Sequence, residues 1–563
     1  MNSYNKKISR RDFVNGVLAG SVSIMGTGLC GGCVKISSHI KTADSGVAKN
    51  KIVRHDISDN YKNCHGMMSN DSTFSSDKIS DTCDVVIIGG GIGGLTAAWM
   101  LKKEGFNIKI LEKDSIIGGQ CKMDDSTKIK AAMASAFTDY PYNDDLIMFY
   151  KALGVVTGID NDGYPVVDKK YTVKPPYDIH FIDGKWYSNP FKSAANMEAL
   201  PFSDSIKSDL LAFQNDMMKW YDYIGRDKLS AFDFPLEQAC SKDAEVRNLD
   251  KITFLEYVKS HGWDPLVSSF FEPLILSELG ASHDKVSAFA AICNISGDVY
   301  PPQDNDDESG VISMPGGNTH IVLKLAKLIE DQNIINNAFV QKIVKNDDGV
   351  DLFYLHNNKT VSLHAKYAVY GAPMFMAPYL IDNLSTSKKE AISTLEYAPY
   401  IVANVHVSQT PEELAWISQI HGDGIISDII VADWAGLKDP QKASNLRPNI
   451  LTVYAPLNKD NDRENLLNKP LSYFETIILT ELENILPGIN RIVTGFDLYR
   501  WGHPMLKSLK GSIFSDFRIS LKKPEGSIFF AGHECEGIPI IDSAILSGIR
   551  AAREIFSVSN INR

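Results

Sequence analysis

Residues 84–120 read DVVIIGGGIGGLTAAWMLKKEGFNIKILEKDSIIGGQ, and the order of features along them decides the fold. Asp84 to Ile88 is a short run rich in Val and Ile, the composition of a strand buried on both faces of a parallel sheet. It breaks into Gly89, Gly90, Gly91, Ile92, Gly93 and Gly94, which satisfies G-x-G-x-x-G at 89, 91 and 94. Leu95 to Glu104 then carries apolar residues at helical spacing, and Asn107 to Leu111 is a second strand running into Glu112. Gly89 permits the tight turn out of the first strand, Gly91 leaves the backbone bare for a pyrophosphate, and Gly94 lets helix and strand close on each other. The helix start offers free N–H groups and a partial positive charge to the phosphates. Glu112, eighteen residues past Gly94, stands where it accepts hydrogen bonds from a ribose diol. A glycine-rich turn of no function would not need the helix and the acid in this order.

After Glu112 comes Lys113-Asp114-Ser115-Ile116-Ile117-Gly118-Gly119-Gln120. A Gly-Gly pair at this distance past the ribose acid resembles the extended fingerprint of the flavin amine oxidase superfamily. Near the other end, Ser527 to Glu534 is a strand running into a turn, and Ile540 to Ala552 is a helix. Together they resemble that superfamily's closing motif, a strand ending in Phe-Ala-Gly-x-Glu and a helix of pattern G-A-x-x-S-G-x-x-A-A, with Ser543 where Gly is usual.

The resemblance implies FAD rather than NAD, and an α/β chain in which a Rossmann-like FAD-binding domain (83–150, 310–380 and 500–556) is interleaved with an α+β substrate domain (151–309 and 381–499). This is the amine oxidase, or glutathione-reductase-2-like, architecture. It places Gly89, Gly91, Ile92, Gly93, Gly94, Glu112, Lys113, Gly119 and Gln120 at the cofactor. Val340 would read the adenine through its backbone. Gly532 and Glu534 would face the phosphates and ribitol, while Ile541 and Asp542 set a helix N-terminus under the flavin O2 edge, where it stabilises negative charge.

The chain has 563 residues, 44% hydrophobic, enough to bury a large core in two domains. A net charge of −12 argues against nucleic acid or an anionic membrane as a partner. Residues 1–33 look like an export signal. Ser9-Arg10-Arg11-Asp12-Phe13 matches the twin-arginine pattern, and Phe13 to Leu29 is a weakly apolar, glycine-rich stretch, too short to span a membrane convincingly. That route carries folded, cofactor-loaded proteins, so a periplasmic location and the twin-arginine machinery as a partner are expected. Cys33 after Gly31-Gly32 reads as a poor lipobox; ordinary cleavage downstream and an uncleaved anchor stay open. Cys30 and Cys33 lack the second pair a metal site requires, and no metal is expected. The other cysteines are too sparse for a disulfide scaffold and are expected to be mostly buried small residues. Residues 34–82 read as a polar linker with His39, His55 and His65 solvated.

The middle of the chain carries architecture more than chemistry. His180 to Tyr187 is a hairpin with Asp183-Gly184 as a type I′ turn. Ser205 to Tyr223 is a helix, another starts near Thr253, and His261 before Gly262 ends it. Met314-Pro315-Gly316-Gly317-Asn318 opens a helix through Glu330, either as a plain turn or as a flavin contact. Asn337 to Ile343 is a strand, with Val340 and Lys342 pointing the same way. Val350–His356 and Thr360–His364 form a hairpin, and Tyr367 to Tyr370 is a separate strand. Ile401 to Val407 is a sheet strand in which His406 is a partnered residue.

Trp501, His503 and Tyr400 are the catalytic candidates. Trp501 would be an aromatic wall, and His503 a base or a flavin attachment point. The resemblance, which extends to the twin-arginine-exported spermidine dehydrogenases, implies oxidation of an amine or polyamine by hydride transfer to flavin N5. Gly118-Gly119-Gln120-Cys121 also resembles fatty acid isomerases of this fold, which keeps a double-bond isomerase or desaturase of an unsaturated lipid open. A non-catalytic flavin-bearing electron-transfer protein is the third reading. The electron acceptor, whether oxygen, quinone or cytochrome, is left open.

Overall fold

The strand Asp81–Ile88 is central because Val85, Val86 and Ile87 have no exposed surface on either side. In the computed structural model, which describes residues 53–58, 61–68, 79–125, 127–161, 163–300, 310–434 and 447–559, it lies parallel between Ile108–Leu111 and Lys359–Tyr370. Ile334–Ile335 extends the sheet beyond Ile108–Leu111. Lys359–Tyr370 has two partners along one edge. Its first half pairs antiparallel with Gly349–His356, which pairs in turn with Phe339–Asn346; its last residues run parallel to Ile528–Phe530. Seven strands result. Helices Ile92–Lys103 and Ile541–Val558 cross at glycines: a Cβ on Gly548 would sit 2.4 Å from the Gly93 carbonyl oxygen.

A second, eight-stranded sheet runs in the order Val53–Ser58, Val493–Leu506, Tyr397–Val407, Asn449–Pro456, Asp428–Val431, Ile417–Ile420, Asp178–Ile182, Lys185–Ser188. Helix Leu471–Ile485 supplies Phe474, Ile478 and Leu482 to its core. Polar side chains fasten this sheet to a crossing segment next to the first: the Asn404 amide donates to the Ala132 carbonyl, the Trp501 indole to Met133 and the Tyr454 hydroxyl to Ala134, at 3.1, 3.0 and 2.6 Å.

Several local readings hold. Asp183 and Gly184 have φ of 49° and 78°, as the type I′ turn requires. The long helix spans Asp204–Tyr221. Helix Phe254–Ser260 starts from a capping box between Thr253 and Glu256 and ends on His261. His406 is partnered, its Nε2 lying 2.6 Å from Asp497.

Others change. Tyr367 to Tyr370 is not a separate strand but the end of Lys359–Tyr370, because the pairing with Asp81–Ile88 that starts at Leu363 continues to Tyr370. A bulge between Val340 and Lys342 breaks the expected alternation, so Val340 is buried while Lys342 reaches Asp382 at the surface. Arg500 to Leu506 belongs to the eight-stranded sheet rather than to the nucleotide side. The stretch read as linker contains the ordered strand Val53–Ser58 and the helix Tyr61–Met68. His55 is not simply solvated, since its Nδ1 lies 2.6 Å from Asp497. Of the six described cysteines, Cys83, Cys121, Cys240, Cys293 and Cys535 are buried. The twin-arginine stretch, Cys30, Cys33 and His39 lie outside the described residues.

Candidate functional site

A cleft of about 1240 Å³ runs between the two sheets. The two glycine turns meet on its wall: a Cβ on Gly93 would lie 3.1 Å from the Gly532 amide nitrogen. Gly94 backs this contact without reaching the cleft. A Cβ there would lie 2.2 Å from the Gly89 carbonyl oxygen, and Gly371 presses on Gly94 from the other side. Gly91 is different, because a Cβ there would meet nothing within 4 Å and would project into open space. The backbone at Gly91 is therefore bare where a pyrophosphate has to approach.

Glu112 closes one end. Its buried carboxylate accepts from the Gly90 amide at 2.8 Å and the Asp114 amide at 2.9 Å. Burial pushes its pKa up against those bonds. Each oxygen accepts only one of these N–H groups, leaving lone pairs for a diol. Lys113 and Lys122 both grip Asp114, at 3.0 and 2.5 Å, and with their help its carboxyl stays below the usual range although burial opposes it. Ala338, Phe339, Val340, Met376 and Leu380 form an apolar wall beside Glu112.

At the other end lie Gln120, Ser135, Trp501, His503, Pro504 and Ile541. Gln120 donates to the Pro504 carbonyl at 2.7 Å, which joins the fingerprint loop to the eight-stranded sheet. The His503 ring lies against Phe375, with centroids 4.7 Å apart. Glu534 accepts from the Met374 amide at 3.1 Å and the Tyr397 hydroxyl at 3.2 Å. His533 Nε2 is buried with no hydrogen-bond partner among the described residues, on the cleft wall beside Gly532. A buried donor or acceptor of this kind calls for a ligand or water.

A bare cradle at Gly91, an orphaned nitrogen at His533 and a carboxylate at the far end fit a long molecule with a central phosphate group and a terminal sugar. The profile of the flavin containing amine oxidoreductase family matches residues 92–556. The chain belongs to that family. Its cofactor is FAD; Glu112 would hold the ribose of its adenosine half, and Trp501 would stand beside the flavin.

Oxidoreductase PigB of Serratia sp. is 22% identical over 552 residues, covering 86% of this chain and 77% of that protein. A putrescine oxidase variant redesigned in cofactor binding superposes with a TM-score of 0.62 at 17% identity, over 85% of this chain and 99% of the other. A CLA-producing fatty acid isomerase from P. acnes gives 0.59 at 15%, over 86% and 100%. At these identities the two structures share the fold and no more.

Of the residues singled out in the sequence, Gly89, Gly91, Ile92, Gly93, Glu112, Lys113, Gly119, Gln120, Val340, Trp501, His503, Gly532, Glu534 and Ile541 all line the cleft. Gly94 and Asp542 are not on its wall, and Asp542 is buried at the first turn of Ile541–Val558. Tyr400 is not a cleft residue either. It is fully enclosed, with its hydroxyl 2.8 Å from Ser277, so it cannot reach a group in the cleft. The Pro315-Gly316-Gly317 turn is structural, with Gly317 pressed on the Ser135 carbonyl and Ala132. Sequence reasoning missed Phe375, Met376, Arg463, His533 and the trio Tyr61, Cys64 and His65, all on the wall. His533 sits inside a quoted motif, at its variable position. The rest arrive from remote elements and carry no local signature.

Proposed function

We propose that the protein oxidises a small amine or polyamine at the carbon next to nitrogen. The observation that carries this reading is a set of enclosed carboxylates behind the Trp501 end of the cleft. Tyr400 pairs across the strands with Trp501, and its ring meets Tyr454 edge-on at 6.2 Å. Beside them lie Asp428, bonded by Ser427 at 2.5 Å, and Glu278, bonded by Asn294 at 2.7 Å. Burial pushes Glu278 up to about 8, with Asp298, Asp139 and Asp428 adding to it, and pushes Asp428 up to about 6. Among the described residues, the charges that act most strongly on Glu278 are acidic. An ammonium group arriving at this end would draw the proton off such acids, whereas an apolar lipid chain would leave them protonated and gain nothing from them.

Bound FAD supplies a two-electron acceptor at N5. The chain holds the donor, with Trp501 as a wall whose indole is fixed on the Met133 carbonyl and the carboxylates drawing the distal amine. Loss of a hydride from carbon and a proton from nitrogen leaves an imine, which water hydrolyses to an aldehyde and ammonia. The test is anaerobic titration of the yellow protein with diamines, monoamines and unsaturated fatty acids. Bleaching by amines alone, weakened in Glu278→Gln, is the expected outcome. Double-bond migration in a fatty acid with no bleaching by any amine would replace this reading with the lipid isomerase.

A further inference from the structure

Residues 53–58 and 61–68 precede the nucleotide-binding unit in sequence, yet the first of them joins its opposite partner in space. Val53–Ser58 is the outermost strand of the eight-stranded sheet, parallel to Val493–Leu506 in the register Val53 opposite Gly495 to Ser58 opposite Arg500. Apolar burial does not hold it there, since Val53 is 57% and Ile57 38% exposed. Charge does. Arg54 Nε lies 2.8 and 2.9 Å from the two Glu475 oxygens, and His55 lies 2.6 Å from Asp497. Arg500 takes both oxygens of Asp56, at 2.8 and 2.6 Å.

The helix Tyr61–Met68 then lies over the other sheet. Cys64 and Met67 pack on the cluster that contains Val340 and Leu380, and Tyr61, Cys64 and His65 face the cleft. The Tyr61 and His65 rings lie 5.1 Å apart. Arg500 also donates to the Leu466 and Lys469 carbonyls, at 2.8 and 2.7 Å, and both of those residues line the cleft. One guanidinium therefore ties the crossing strand to the other rim.

We propose that residues 53–58 and 61–68 form a strap over the FAD cleft, clasped by the Asp56–Arg500 pair, with Tyr61 and His65 covering the adenosine half of the cofactor. The strap contains none of the nucleotide fingerprint, and it is independent of which substrate the enzyme oxidises. Its fastenings are one strand edge and a few charge pairs, with no packed apolar core beneath Val53 and Ile57, so it opens more readily than the glycine cradle and sets how fast FAD leaves.

The test uses the holoprotein. Flavin fluorescence recovered on release is followed in wild type, Asp56→Asn, the double variant Tyr61→Ala/His65→Ala, and Lys510→Ala, which breaks an exposed pair elsewhere. Release about tenfold faster in the first two variants and unchanged in the third is expected, the loss of a strong pair being worth that factor. Backbone hydrogen exchange supplies the second readout and needs no variant: amides of residues 53–58 and 61–68 should exchange faster in apoprotein than in holoprotein. Release within twofold of wild type in both strap variants overturns the proposal, as does exchange in these residues that ignores FAD.

Discussion

Gly91 and Gly94 stand three residues apart in one motif and do different work. At Gly91 the space beyond the α-carbon is open, so Gly91→Ala should fold with an unchanged melting temperature yet bind FAD poorly, because the methyl takes the place a phosphate needs. At Gly94 a methyl would lie 2.2 Å from the Gly89 carbonyl. Gly94→Ala should therefore cost about 1–3 kcal/mol of stability as strand and helix are pushed apart. Thermal melts of the apoproteins together with the 450 nm absorbance of the holoproteins separate the two effects. Equal melting temperatures for the two variants would refute the distinction. Both roles were legible in the sequence because glycine spacing and the following acid are local. The orphaned His533 nitrogen was not, because nothing in Gly-His-Glu says which way the imidazole turns.

Helices Ile92–Lys103 and Ile541–Val558 carry the next scale. They cross where Gly548 meets Gly93, and a Cβ on Gly548 would also come within 2.9 Å of Thr96 Cβ. Gly548→Ala is expected to lower stability by about 1–3 kcal/mol and to shift the flavin absorption envelope, because the same helix carries Ile541 and Asp542. Denaturant titration and the visible spectrum test this; a spectrum identical to wild type would remove the link between crossing and flavin. The crossing was foreshadowed by the closing motif. The length of Lys359–Tyr370 was not, since a strand that serves two partners along one edge reads locally as two strands with a break between them.

At the scale of the whole molecule, the enclosed carboxylates set a pH dependence. Glu278 keeps its proton in the fold up to about 8, whereas in the unfolded chain it ionises in the ordinary carboxylate range. Folding therefore takes up a proton between those limits, and the stability of the substrate-free protein should fall as pH rises from about 5 to about 8. Asp428, raised to about 6, adds to the early part of that fall. Glu278→Gln should flatten the slope, read from denaturation midpoints across that range. A wild-type slope preserved in the variant would mean the proton sits elsewhere.

The amino-acid sequence by itself determined the glycine turn and the acid that follows it, the closing strand and helix, and the capped helices and turns between them. These rest on backbone freedom, capping and periodicity, which act over a few residues. The tertiary structure alone decided that Tyr400 lies outside the cleft, that Glu278 and Asp428 are enclosed near one another, and that Asp56 clasps Arg500 across 444 positions. Each of those side chains is ordinary in its own stretch. What it does follows from partners that folding brings to it, and no short-range rule encodes which partner arrives.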